Sequence, residues 1–268
     1  MDILDEIIAN KHQEVAERKE LFPLRLLERS LYFESPTVSL RKYVTRPDKS
    51  GIIAEIKRKS PSKGAINPHI SVEKVSIGYM QAGASALSVL TDTPFFGGSN
   101  DDLTTARKFN FCPILRKDFV VDEYQIVEAK SIGADAILLI AASLSPGQIR
   151  TFAELAHRLG MEVLLEVHSK EELQRNQEAP VDLMGVNNRD LKTFRVDVTL
   201  SKELAAAMPR GTVAVSESGL DSPQAVADLM AYGYQGFLIG QRFMETAQPE
   251  KAARVFIQEL KKIKSPVT

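Results

Sequence analysis

Short apolar runs recur along the chain after residue 50, and each is followed by a stretch with helical spacing. The runs lie at 52–56, 86–90, 113–115, 136–140, 163–167, 183–186, 213–215 and 236–239. Most are continuous rather than alternating, the pattern of parallel strands covered on both faces. They start roughly twenty to thirty residues apart, the length a strand–helix unit needs. Between them, 72–82, 123–132, 146–159 and 223–231 carry the apolar period of helices and stop at Gly83, Gly133, Gly160 and Gly233. Glycine just past a helix end suits the left-handed cap that returns the chain to the next strand. The alternation predicts an α/β fold. An open doubly wound sheet shares it, but a count of eight favours a closed (β/α)8 TIM barrel.

Residues 1–47 break this rhythm. Ile3, Ile7, Ile8, Val15 and Ala16 fall near helical spacing, and 21–30 suits a second short helix. Pro36, Pro47 and the polar stretch 48–50 set the segment apart. The chain is therefore expected to divide into an N-terminal helical extension, 1–47, packed on a barrel catalytic domain, 48–268. The extension either covers one mouth of the barrel or only braces it.

Length and composition narrow the class. The 268 residues match one barrel of about 250. Thirty-four basic and 35 acidic residues leave a net charge of −1, so no global basic field invites nucleic acid and any anion site must be local. The longest apolar runs, such as 136–142, are too short to span a bilayer, and the acidic opening Met-Asp-Ile-Leu-Asp-Glu is no secretory signal. One cysteine, Cys112, excludes an internal disulfide and a cysteine metal cage; a reducing cytoplasm is the simplest compartment. Cys112 precedes its strand on the side away from the rim, where a buried structural thiol is expected.

Candidate chemistry lies where strands end, at the C-terminal rim of such a barrel. The first run continues Ile-Ala-Glu-Ile-Lys, and period-two alternation puts Glu55 and Lys57 on one face, opposite Ala54 and Ile56. The same alternation aligns Leu115 with Lys117 and Leu164 with Glu166, and brings Asn187, Arg189, Glu217, Ser218 and Gly219 to the rim. Each alone reads as an ordinary surface charge. Five strands ending this way make a plausible acid–base site. The loops Ser218-Gly219-Leu220 and Gly240-Gln241-Arg242 stand where many barrels cradle phosphate, and each has a glycine that lets backbone N–H groups approach an anion. The Ser60-Pro-Ser-Lys-Gly64 loop adds hydroxyls and a cation. The four histidines show no metal-ligand spacing, and His168 is read as a solvated loop residue. No nucleotide-binding glycine motif is present, so nothing calls for a dinucleotide or a nucleoside triphosphate.

The run Ile53-Ala-Glu-Ile-Lys-Arg-Lys-Ser-Pro-Ser62 closely resembles the signature of the indole-3-glycerol phosphate synthases. So do Leu87-Ser-Val-Leu-Thr-Asp, Leu115-Arg-Lys-Asp-Phe, Leu165-Glu-Val, Gly185-Val-Asn-Asn-Arg-Asp-Leu and Ser216-Glu-Ser-Gly. The resemblance spans the barrel and includes the helical extension. It implies the cofactor-free conversion of 1-(2-carboxyphenylamino)-1-deoxyribulose 5-phosphate to indole-3-glycerol phosphate, carbon dioxide and water. It further implies Lys117 as general acid, Glu166 as general base, and Lys57, tuned by Glu55, as holder of the anthranilate carboxylate and a second candidate acid, for the dehydration. Asn187 would bind a hydroxyl, and Glu217 and Ser218 would line the site. Phosphate would sit among Ser60, Gly219, Gly240 and the N–H of Gln241, with Arg189 as a supporting charge. Phe95, Phe96 and Phe119 are candidates to flank the aromatic ring, or are core. Gln241 departs from the small residue expected there, which puts a side-chain contact to phosphate in doubt. The expected partner is a small phosphorylated substrate, with no nucleic acid and no membrane, and the family implies a monomer. Two rivals are a phosphoribosylanthranilate isomerase, for which Cys112 is misplaced, and a non-catalytic barrel, which would be expected to lose rim charges.

Overall fold

The computed structural model describes residues 3–264; residues 1–2 and 265–268, at the ends of the expected extension and barrel domain, lie outside them. The barrel is built from β1 (Ile52–Ile56), β4 (Ala86–Leu90), β5 (Ile114–Lys117), β6 (Ala136–Ile140), β7 (Glu162–Val167), β8 (Leu183–Asn187), β9 (Val213–Glu217) and β10 (Gly236–Ile239). Between β1 and β4 a small hairpin, β2 (Lys59–Ser60) and β3 (Gly64–Ala65), juts from the rim. Each barrel strand pairs in parallel with the next, and β10 returns to β1 through Ile53↔Leu238, closing the sheet. This is the eightfold barrel that the alternation predicts.

Its strands carry two apolar faces. Ile53, Leu115, Leu138, Leu164, Leu183, Val215 and Leu238 fill the interior. Ile52, Ala54, Ile56, Val89, Ile114 and Leu165 face the helices. Because both faces are buried, strand sequences read as unbroken apolar runs.

The helices in the barrel are α4 (Val72–Ala82), α5 (Asn100–Phe109), α6 (Glu123–Ser131), α7 (Pro146–Arg158), α8 (Lys170–Arg175), α9 (Thr199–Ala205), α10 (Pro223–Ala231), α11 (Gln241–Met244) and α12 (Pro249–Lys264). Most begin with a serine or aspartate whose side chain accepts a backbone N–H of the first turn, as Ser71, Ser99, Asp122, Ser145, Ser169 and Ser222 do. Four strands differ from their apolar runs: β5, β8 and β9 extend to Lys117, Asn187 and Glu217, and β7 starts at Glu162. Backbone pairing is indifferent to side-chain charge, so the ladder runs on where hydropathy stops.

Ahead of the barrel stand α1 (Ile3–Leu21), α2 (Leu24–Leu27) and α3 (Leu40–Thr45). The helix expected at 21–30 is the single turn α2. The sequence gives no warning of α3, whose six residues include four polar ones. Its Leu40 and Val44 are buried with Ile53, Ala86 and Val213, so α3 plugs the mouth at which the strands begin. Asp135 and Glu162, at those strand starts, accept the backbone N–H groups of Val38 and Arg41 at 2.8 and 2.7 Å. At the opposite mouth α1 reaches over the rim, with Ile3, Leu4 and Ile7 facing the central cavity.

Candidate active site

The interior residues of four strands continue upward into charge. Above Ile53 comes Glu55, above Leu115 comes Lys117, above Leu164 comes Glu166, and above Val215 comes Glu217. Between the last two, Gly185 leaves room: a methyl group there would collide with the Glu217 carboxylate. Gly240 does the same for Glu55. These charges converge on a cavity of about 370 Å³ at the C-terminal mouth.

Lys117 is the hub. Its Nζ lies 2.6 Å from Glu166 Oε2 and 2.7 Å from Glu217 Oε2. Asn187 Nδ2 donates to Glu166 Oε1 at 3.2 Å, and Lys57 Nζ donates to Glu55 Oε1 at 2.6 Å. Burial opposes the Lys117 charge, yet the carboxylates of Glu166 and Glu217 outweigh it and hold the ammonium above the usual lysine range. Burial likewise works against the Glu166 charge, but Lys117 and His168 win and keep it well below the usual carboxylate range. Glu217 goes the other way. Burial pushes it up to about 7, against the pull of Lys117 and with a further push from Glu166. Its Oε1 is buried with no protein partner among the described residues. Two adjacent carboxyls are thus driven in opposite directions, Glu166 well below the usual range and Glu217 up to about 7, a separation that can serve acid–base chemistry.

His168 corrects an expectation: its side chain is only 10% exposed, with Nε2 3.1 Å from Glu166 Oε1 and Nδ1 3.5 Å from Glu172 Oε2. Period two carries it past the strand end to the same carboxylate that Lys117 holds, a signal available from its spacing to Glu166. Burial lowers its pKa, but Glu166 and Glu172 more than compensate and raise it to about 9. A folded-state pKa above the unfolded one stabilises fully below about 6.5 and is lost as pH rises through 9. Unfolding free energies from urea titrations are therefore expected to fall between pH 6.5 and 9, by up to about 3 kcal/mol from this group. His168→Gln should flatten that slope; an unchanged slope would assign it elsewhere.

The other end of the cavity has backbone and side-chain donors that can hold an anion. After β9, Ser218 and Gly219 adopt consecutive left-handed conformations, with φ of 66° and 73°. Asn188 clamps this turn, donating to the carbonyls of Glu217 at 2.9 Å and Ser218 at 3.1 Å. Gly219 has a second constraint, since a Cβ would strike Val196. Across from it, Gly240 and Gln241 open α11, whose first N–H groups have no partner within the helix. Arg189 spans the gap, donating to Phe194 O and to Gln241 Oε1, both at 3.2 Å. Among the described residues it meets no carboxylate, and burial lowers its pKa. The Gln241 side chain is thus occupied with Arg189, and with Glu245 at 2.8 Å.

All twelve site residues named from the sequence line this one cavity: Glu55, Lys57, Ser60, Lys117, Glu166, Asn187, Arg189, Glu217, Ser218, Gly219, Gly240 and Gln241. Phe96 and Phe119 also line it and lie ring to ring, with centroids 5.9 Å apart; Phe95 does not line it. Ile3, Leu4 and Ile7, from outside the barrel, were not foreseen as lining residues, because an apolar face on a helix reads equally as core.

Comparison with known proteins gives this geometry a lineage. The family model for indole-3-glycerol phosphate synthase matches residues 4–256. An indole-3-glycerol phosphate synthase of Bacteroides thetaiotaomicron is 48% identical over 259 residues, covering 97% of this chain and 99% of the relative. Those of Magnetococcus marinus and Neisseria gonorrhoeae are each 44% identical, covering 93% and 91% of this chain and 95% and 94% of theirs. Among solved structures, a thiamine phosphate pyrophosphorylase from Pyrococcus furiosus superimposes with a TM-score of 0.62 at 15% identity. It covers 85% of this chain and all of its own, a likeness of fold alone. With its family model matched almost end to end, this chain belongs to the indole-3-glycerol phosphate synthase family.

Proposed function

We propose that the chain closes the indole ring of 1-(2-carboxyphenylamino)-1-deoxyribulose 5-phosphate, releasing carbon dioxide and water, with Lys117 as general acid and Glu166 as general base. The observation that carries this reading is the Glu166–Lys117–Glu217 cluster, an ammonium held charged between one strongly acidic and one weakly acidic carboxyl. The substrate lies with its phosphate among Arg189, Gly219, Ser60 and the opening of α11, and its ring toward Phe96 and Phe119. Lys57, oriented by Glu55, holds the anthranilate carboxylate.

Ring closure begins as the carboxylate-bearing aromatic carbon attacks the ribulose carbonyl. Negative charge grows on the carbonyl oxygen, and the Lys117 ammonium stabilises and protonates it. Carbon dioxide leaves, which restores aromaticity. The hydroxyl then departs as water, taking its second proton from the Lys57 ammonium, while Glu166 accepts the ring proton that must be lost. Asn187 holds a substrate hydroxyl beside Glu166, and Ser218 and Glu217 line the reacting end. The bound geometry counts as much as the acid, because a flexible ribulose chain must fold back on the ring.

No described helix is long and apolar enough to cross a membrane. Burial pushes the single thiol, Cys112, up to about 12, so it is an inert core group. As the family resemblance implies, the same reading takes the enzyme to be a monomer of the cytoplasm. The direct test is growth of indole fluorescence from purified protein and the carboxyphenylamino-deoxyribulose phosphate with nothing else added. Turnover supports the reading; a folded, phosphate-binding protein without turnover overturns it.

A further inference from the structure

Lys11 sits in the middle of α1, and its side chain is fully buried. Its ammonium meets Glu14 of the same helix at 2.8 Å, Asp92 after β4 at 2.9 Å and Asp118 after β5 at 3.0 Å. Burial opposes that charge, and Asp118, Asp92 and Glu14 outweigh it, holding Lys11 above the ordinary lysine range. Such a cluster is no general route to stability, since apolar packing of similar volume commonly does as well. What distinguishes it is the second task of each aspartate.

Asp92 Oδ1 accepts the backbone N–H groups of Phe95 at 2.8 Å and Phe96 at 3.3 Å, which fixes the turn presenting Phe96 to the cavity. Its Oδ2 is buried without another hydrogen-bond donor among the described residues, so Lys11 supplies its countercharge. Asp118 Oδ1 accepts the Phe119 N–H at 2.8 Å, while Oδ2 takes the Thr91 hydroxyl at 2.5 Å. Lys11 is one turn beyond Ile7 on the same face of α1, and Ile7 lines the cavity.

We propose that Lys11 is a positioning residue for the aromatic end of the substrate: it fastens α1 to the Phe96 turn and the Phe119 peptide, so that both rings and Ile7 form one apolar slot beside Lys117. The inference rests on the reading that this cavity takes a carboxyphenylamino ring. It separates the two ends of the site. The slot depends on Lys11, whereas the anion cradle on β8–α11 does not touch it.

Steady-state kinetics of Lys11→Met and Lys11→Arg test this, with inorganic phosphate as a competitive probe of the distant cradle. Lys11→Met is expected to raise KM about tenfold or more, with kcat within about threefold and phosphate inhibition within about twofold of the parent. Lys11→Arg keeps the charge and should restore KM to within about threefold. If Lys11→Met fails to fold, Asp92→Asn keeps the oxygen that caps the turn, loses the charge that Lys11 holds, and should show the same raised KM with unaltered phosphate inhibition. An unchanged KM in the folded variant overturns the proposal. So does phosphate inhibition that weakens in step with KM, the mark of a generally loosened mouth. No turnover by the parent enzyme would instead fail the functional reading beneath it.

Discussion

Lys117→Ala is expected to lower kcat by on the order of 10³, the scale at which a single preorganised donor to a developing oxyanion contributes. KM should move only a few-fold, because Arg189 and the β9 and β10 loops hold the phosphate end without help from Lys117. The fold should survive. Removing the ammonium leaves Glu166 and Glu217 facing one another, and Glu217, already raised to about 7, takes up a proton rather than remain charged. Carbon dioxide release and indole fluorescence should be lost together, since protonation of the carbonyl oxygen precedes both. A variant retaining more than a tenth of the parental kcat would remove Lys117 from the acid role.

Glu166→Gln is the complementary case, with an expected loss of about 10²–10⁴ in indole formation. The amide fills the same space and its one oxygen can still accept from Lys117, but its NH2 then faces the Asn187 Nδ2 donor and that contact is lost; the phosphate end is untouched, so KM should change only a few-fold. The two half-reactions should part company, because the base is needed after the carboxylate has gone. In a single turnover, carbon dioxide is expected to appear at a rate nearer the parental one while fluorescence lags. Equal losses in both signals would place Glu166 in ring closure and assign the dehydration proton to another group. Without the Glu166 charge, Glu217 loses one of the forces that raises it, so the acid limb of the pH–rate profile should also shift downward.

The two halves of the site were unequally legible in the sequence. Glu55, Lys117, Glu166 and Glu217 could be placed because a strand has a period of two, so an interior isoleucine, leucine or valine marks the charge two residues later as interior too. His168 obeys the same rule, yet a histidine past a strand end resembles any polar loop residue, and only the carboxylates around it reveal its burial. Gln241 was legible as a departure but not as a contact: its partner, Arg189, comes from a different strand end. Lys11 was not legible at all. Followed by Glu14 on a helix, it has the form of a solvated i,i+3 pair, and nothing local announces Asp92 and Asp118. The strands were clear because burial on both faces writes itself as continuous apolar sequence; α3 was not, because two buried residues in six make no period.

The plug at the barrel floor has a consequence for how the chain is made. Leu40 and Val44 are synthesised before any strand exists, and Val44 lies against the position of Gly236 in the last strand to be translated. The floor therefore cannot be sealed until β10 has emerged and closed on β1. A nascent chain carries α3 as an unsatisfied apolar segment for nearly the whole of translation, and its docking is among the most sequence-distant contacts in the protein. Contacts of that kind are the slow ones. Stalled or C-terminally truncated chains should thus expose the same short segment, Leu40–Thr45, whichever strand they stop at before β10.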